Sequence, residues 1–293
     1  MDITNDIQAK ARELLSSGEV ACVIGYEVGP RGRTRPAFIY DPDDADRLAW
    51  NQHCTHNLTT YLRDKLRPNG HGQSRGEAAP VAVIVKACDS RAINVLLAEQ
   101  QITRDQVHII GVACDGILEG AGFSAAMEGE LQTRCRECGE RTPVVYDTLI
   151  GDPPSVTPGD TLHPGLAALD AMTPAERAEF WLSQFDRCIR CYACRQACPM
   201  CNCPTCLYER DDSLWAGMGI GINEKRAFHL GRAYHLAGRC VGCDECERVC
   251  PVDIPIGLLN RNLAREIDAL YGYRAGVAPV PSPITTILSG QEG

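Results

Sequence analysis

The sequence predicts an α/β domain followed by a smaller helical domain organised around cysteines. Three observations carry that expectation. Two apolar runs, Val81 to Val85 and Val107 to Val112, flank a stretch of helical periodicity, the pattern of a βαβ unit with buried parallel strands. Residues 151–172 form a span rich in Pro and Gly that interrupts the chain. Beyond that span the cysteines become dense and regularly spaced.

Within residues 1–150, Ile3 to Leu15 has the period of an amphipathic helix ending at Gly18. Val20 to Tyr26 and Ala37 to Tyr40 read as strands joined across Gly29 to Pro36. The acidic run Asp41-Pro42-Asp43-Asp44 reads as a solvated turn that starts a helix. Leu58 to Leu66 is expected to be helical, and 68–80 a polar loop. Asp89 and Ser90 are expected to cap a helix running to about Gln101, and Val144-Val145-Tyr146 to add a strand. After the linker, Thr173-Pro174-Ala175-Glu176 has the signature of a helix start, with Thr as N-cap, Pro at N1 and Glu at N3. That helix leads into the cysteine-rich domain, residues 173–271, and 272–293 is a tail of little periodicity expected to lie over a partner or over the chain's own surface.

The 293 residues are 44% hydrophobic and 23% charged, enough apolar material for a normal core. A net charge of -9 argues against nucleic acid and against anionic membrane surfaces, both of which reward clustered Lys and Arg. The start, Met1-Asp2-Ile3-Thr4, has no basic or apolar leader pattern, and no apolar run is long enough to cross a bilayer. A cytoplasmic location without direct membrane insertion is the expectation. Seventeen cysteines in such a chain, an odd number, point to metal ligation rather than disulfides. No Ser–His–Asp grouping, P-loop, His-Glu-x-x-His or G-x-G-x-x-G motif after a strand supports a hydrolase, kinase or standard dinucleotide reading.

An internal repeat explains eight of the cysteines. Cys188-x2-Cys191-x2-Cys194-x3-Cys198-Pro199 recurs as Cys240-x2-Cys243-x2-Cys246-x3-Cys250-Pro251. Three thiolates on one tight loop can each reach a different iron of one 4Fe–4S cube, while the fourth is aimed at the neighbouring cube. Cys188, Cys191, Cys194 and Cys250 are therefore expected to hold one cluster, and Cys240, Cys243, Cys246 and Cys198 the other. The expectation is an N-terminal α/β domain with a βαβ unit followed by a helical, bacterial-type dicluster ferredoxin domain, with electron transfer as the work that its motifs imply. Structural zinc is the alternative, but zinc sites use paired C-x2-C knuckles without the triple-plus-Cys-Pro form. Arg190 and Arg195 in the first motif, against Asp244, Glu245 and Glu247 in the second, predict the higher potential for the cluster bearing Cys188.

Nine cysteines remain. Cys22 sits in an apolar strand and is expected to pack as a small hydrophobe. Cys135-x2-Cys138 is a knuckle suited to zinc or iron, while Cys88 and Cys114 follow parallel strands and should emerge at their carboxyl ends, so a third metal site is expected here. Cys201, Cys203 and Cys206 either join Cys54 or Cys88 in a fourth cluster, or form a small zinc site or unligated thiols. The loop Lys86 to Arg91 offers Lys86, Asp89, Ser90 and Arg91 to the phosphate of an FAD or FMN; the alternative is that Asp89 and Ser90 only cap the helix. His229 and His235, on the helix leading to Cys240, are expected to be packing residues.

Val85-Lys86-Ala87-Cys88-Asp89-Ser90-Arg91-Ala92-Ile93, Ile109-Ile110-Gly111-Val112-Ala113-Cys114, Cys135-x2-Cys138 and Asp147-x3-Gly151 resemble the β subunits of deazaflavin-reducing hydrogenases and formate dehydrogenases, and subunits of sulfhydrogenases and anaerobic sulfite reductases. The resemblance covers roughly residues 50–150 and the dicluster module. It implies Cys88, Cys114, Cys135 and Cys138 as cluster ligands, with Cys54 as a substitute for Cys88. The domain order is like the sulfhydrogenase arrangement; the deazaflavin-reducing subunits place the ferredoxin part first. The resemblance and the motifs together imply an electron-transfer subunit of a larger anaerobic oxidoreductase: a hydrogenase, formate dehydrogenase or heterodisulfide-reductase-like complex. The alternatives are a self-contained flavin and iron–sulfur reductase of a small acceptor, and a zinc-binding scaffold without redox function.

Overall fold

A computed structural model describes residues 2–66, 79–119, 129–136, 138–153, 165–210, 212 and 217–284. The expected loop at 68–80, most of the linker and the end of the tail lie largely outside these residues. The chain divides into two compact units, Met1–Leu162 with Gly276–Val280, and His163–Ala275 with Pro281–Gly293.

The first unit is built on a five-stranded sheet of order β2-β1-β3-β4-β5. Its strands are β1 (Cys22–Val28), β2 (Thr34–Ile39), β3 (Val81–Val85), β4 (Val107–Val112) and β5 (Thr148–Ile150). Only the β1–β2 pair is antiparallel; β1–β3, β3–β4 and β4–β5 are parallel. All of β3 is buried, which explains its uninterrupted apolar sequence. Helix α1 (Ile3–Ser16) is capped by the Asp2 carboxylate, which accepts from Thr4 N at 3.0 Å, and buries the stripe Ile7, Ala11, Leu14 and Leu15. Helices α2 (Thr59–Leu66), α3 (Ala87–Ala98) and α4 (Thr133–Arg136) complete the unit. The acidic run forms a 3-10 turn over Pro42–Arg47 instead of starting an α-helix, with Asp41 accepting from Asp43 N at 2.9 Å.

Two boundaries differ from expectation. Helix α3 starts at Ala87, so Asp89 is its third residue and reaches back to accept from Lys86 N at 3.2 Å rather than capping from outside. Val144 to Tyr146 form no strand, because their groups are used elsewhere. Val144 N donates to Ser90 Oγ at 2.9 Å, and Pro143 and Tyr146 close over Gly111, where a Cβ would come within 3.0 Å of Tyr146. Ladder pairing with β4 resumes only at Thr148. In the tail, Gly276 lies against α3: its carbonyl accepts from Asn94 Nδ2 at 3.0 Å, and a Cβ there would stand 2.1 Å from Arg91 O.

Glu27 in β1 is buried between two cations, accepting from Arg35 Nε at 2.7 Å and Arg47 Nη2 at 2.8 Å. Burial pushes its carboxyl up, but the hydrogen bonds and charges of Arg47 and Arg35 outweigh that and hold it below the usual glutamate value. A depressed carboxylate contributes stability above its unfolded pKa and loses it as pH falls through the folded one. Glu27→Gln is therefore expected to cost about 1 kcal/mol at pH 7, since both cations face water, and less near pH 3, where the carboxylate begins to protonate. Urea unfolding at the two pH values checks this; an equal cost at both would refute it.

The second unit contains α5 (Ala167–Asp170), α6 (Pro174–Asp186), α7 (Ala193–Gln196), α8 (Ile222–Leu236), α9 (Glu245–Arg248) and α10 (Ile256–Tyr271). Helix α6 starts as its sequence predicts, Thr173 Oγ1 accepting from Glu176 N at 3.3 Å while the Glu176 carboxylate accepts from Thr173 N at 2.7 Å. The expected linker is helical at α5, whose Asp170 holds Arg265 of α10 through two hydrogen bonds of 2.6 and 2.8 Å. Helices α6 and α10 both pack on α8, and α7 packs on α9. No helix among the described residues is long and apolar enough to cross a membrane.

Candidate metal centres

The two cysteine repeats share one backbone shape. Arg190 and Tyr192 flank Cys191 with φ of 56° and 59°; Gly242 and Asp244 flank Cys243 with φ of 69° and 51°. Left-handed residues on both sides of the middle cysteine curl each loop around a single space. Each loop then enters a one-turn helix, α7 or α9, carrying the third cysteine.

Two cavities result. One is lined by Cys188, Cys191, Cys194 and Cys250, the other by Cys198, Cys240, Cys243 and Cys246. Each draws three thiols from one motif and the Cys-Pro thiol from the other. They enclose about 290 and 330 Å³ including the space at their mouths. Four thiols around a space, rather than converging on a point, form a donor set that fits a four-iron cluster. Donors to sulfur are already in place: Arg190 N to Cys188 at 3.3 Å, Ile254 N to Cys250 at 3.4 Å and Asn260 Nδ2 to Cys246 at 3.8 Å. At Gly257, where α10 approaches the second motif, an added Cβ would meet Asp244 Oδ1 at 2.3 Å, so that carboxylate would have to move.

The charges around the motifs are more balanced than the sequence suggested. Arg190 is buried and bonds to carbonyls of Glu224, Tyr208 and Gly217, while Arg195 bonds to Cys203 O and pairs with Glu209. In the second motif Asp244 pairs with Arg261, and Glu245 pairs with Arg248 at 2.7 Å. The simple count of motif charges therefore omits the partners that the fold supplies.

Helix α8 runs beside both motifs with a buried stripe of Lys225, Phe228, His229, Arg232, Ala233 and Leu236. His229 lines the first cavity and stacks on Phe185 at 4.7 Å, and neither ring nitrogen has a hydrogen-bond partner among the described residues. Burial, with the nearby charges of Arg232 and Arg190, holds its pKa down to about 4, so the ring is neutral at pH 7. Sequence reasoning placed His229 in packing and missed Arg232. The signal was a helical stripe that mixes Lys, His and Arg with Phe and Leu.

The remaining cysteines fall into two groups. Near the dicluster motifs, Cys201 hydrogen-bonds to Cys198, and that bond, outweighing burial, draws the Cys198 thiol well below its ordinary value. Cys203 is exposed, and Cys206 is half-buried against the cluster of Tyr208 and Phe228. In the first unit, Cys22 is buried in β1. Val85 pairs with Gly111, so Cys88 and Cys114 each lie three residues past a paired couple, at the carboxyl edge of the sheet. Cys114 is within electrostatic reach of Cys54, Cys88 and Cys135, and Cys135 of Cys138. Burial pushes Cys54 up to about 11 and also raises Cys88, Cys114 and Cys138. Among the described residues no three His, Cys, Asp or Glu side chains are close enough to hold a metal ion as they stand.

The residues offered to a flavin phosphate have internal partners. Lys86 Nζ is 1% exposed and bonds to Asp89 at 2.8 Å, His56 O at 2.8 Å and the Tyr26 hydroxyl. Ser90 Oγ donates to Ala87 O at 2.7 Å, and Arg91 pairs with Glu140 at 3.0 Å.

Residues 184–254 match the 4Fe-4S dicluster domain family. The chain is similar to two relatives named as β subunits of formate dehydrogenases. It is 35% identical over 109 residues to the F420-dependent formate dehydrogenase subunit beta of Methanocaldococcus jannaschii, covering 37% of this chain and 28% of that one. It is 22% identical to the F420-dependent formate dehydrogenase 1 subunit beta of Methanococcus maripaludis, over 83% of this chain and 82% of the relative. The first match therefore spans little more than a quarter of that relative's length.

Proposed function

We propose that the chain is the iron–sulfur electron-transfer subunit of a multi-subunit anaerobic oxidoreductase, with a formate dehydrogenase as the favoured partner because both relatives carry that name. The observation that carries the reading is the pair of cavities, each lined by three cysteines of one motif and the Cys-Pro cysteine of the other. When bound, such clusters supply one-electron transfer at potentials set by local charge, hydrogen bonds to sulfur and exposure. The chain's own groups act on each of these. Phe228, Val252, Ile254 and Ile256 line the first cavity with apolar surface, and Asn260 and the backbone N–H groups of Arg190 and Ile254 donate to cysteine sulfur.

Cys88, Cys114, Cys135 and Cys138, with Cys54 beside them, are proposed to hold a third cluster at the edge of the sheet, where electrons would be exchanged with a second redox partner. A cytoplasmic, reducing compartment suits so many thiols. A hydrogenase or heterodisulfide-reductase-like complex is the alternative assembly, and a flavin at the first unit the alternative cofactor.

Anaerobic purification with iron, acid-labile sulfide and zinc analysis tests this reading. About eight iron and eight sulfide per chain are expected from the dicluster domain alone, about twelve with the third site and about sixteen with a fourth. Zinc without sulfide would refute electron transfer. Release of a yellow chromophore on denaturation would favour the flavin reductase, and co-purification from the native host identifies the partner subunits.

A further inference from the structure

Arg232 is 4% exposed on α8, yet no carboxylate is paired with it among the described residues. Its Nη2 donates to Cys194 O at 2.9 Å, and its Nε has no partner among them. A guanidinium taken out of water without a counter-charge is costly, so an isolated arginine here would be strongly destabilising. The groups that sustain its charge against burial are sulfurs: Cys201, Cys198, Cys194 and Cys246. Cys194 lines the first cavity, and Cys198 and Cys246 line the second. A single buried cation thus stands within electrostatic reach of both sets of thiols.

We propose that Arg232 is a counter-ion shared by the two clusters, a positioning residue that holds both reduction potentials up. This rests on the dicluster reading above. A cube ligated by four thiolates is anionic and gains a further negative charge on reduction, so a fixed cation nearby favours the reduced form. Because the guanidinium cannot deprotonate in the accessible pH range, its effect is constant across pH. On substitution, the first and second motifs would lose that charge together.

The test uses the full chain, loaded anaerobically, as wild type, Arg232→Gln and Arg232→Lys. Iron and sulfide are counted first, and each cluster's midpoint is then read by EPR-monitored redox titration. With Gln, both midpoints are expected to move to more negative potential; with Lys, most of that shift is expected to be restored. Failure of Gln alone to load clusters, with Lys loading normally, also supports a requirement for charge. Unmoved midpoints, movement of one cluster only, or equal loss of clusters in both variants would assign Arg232 to packing and overturn the proposal. If the wild type itself carries no two clusters, it is the dicluster reading that falls.

Discussion

The double variant Cys198→Ala/Cys201→Ala is expected to remove the cluster of the second motif and leave that of the first, although both substitutions lie beside the first motif in sequence. Cys198 lines the cavity of Cys240, Cys243 and Cys246, so removing it takes away the one ligand that this cavity receives from elsewhere. Cys201 is included because its thiol already contacts Cys198 and would be a ready substitute. Iron should fall by about four per chain, and one of two EPR signals should vanish. Cys250→Ala is expected to do the reverse, removing the cluster of Cys188, Cys191 and Cys194. The comparison that decides is with Cys191→Ala and Cys243→Ala. If the Cys198 variant loses the same signal as Cys191→Ala, each motif serves itself and the exchange of ligands is wrong.

The grouping of cysteines around the two cavities was legible in the sequence because spacing constrains it. Three thiols at x2 intervals close one loop, and the fourth, after x3 and before Pro, starts a new direction. Elements of regular period were equally legible. The strands Val81–Val85 and Val107–Val112 and the start of α6 at Pro174 stand where their apolar runs and capping residues put them. What failed depends on partners far away in the chain. Val144 to Tyr146 has strand-like composition, but its first amide is taken by Ser90, 54 residues earlier. Asp244 reads as a lone negative charge until Arg261, 17 residues on, folds against it. Arg232 looks like an ordinary helical arginine, because nothing within α8 reveals that Cys194 O and the thiols of Cys198 and Cys201 lie near it. Local chemistry is written in local sequence, whereas the electrostatic environment of a site is a property of the assembled unit.

Lys86→Met is expected to destabilise the first unit by about 3–5 kcal/mol, the cost of leaving a buried charge without its partner. The Lys86 side chain is 1% exposed and Asp89 is fully buried, with their charged groups 2.8 Å apart. Burial opposes the charge on Lys86, but Asp89 and Tyr26 outweigh it and keep it cationic. The same ammonium bonds to His56 O, so it ties the end of β3 to the segment before α2 as well as to β1 through Tyr26. Removing it orphans the carboxylate that also closes the first turn of α3. The double variant Lys86→Met/Asp89→Asn should cost less than Lys86→Met alone, since no unpaired charge remains. Urea unfolding followed by circular dichroism measures both. The outcome also separates the two readings of this loop: a lysine kept for a flavin phosphate could be lost with little change in stability but with loss of a bound chromophore. A large loss of stability, relieved in the double variant, is the result expected of a lysine whose partners are all inside the protein.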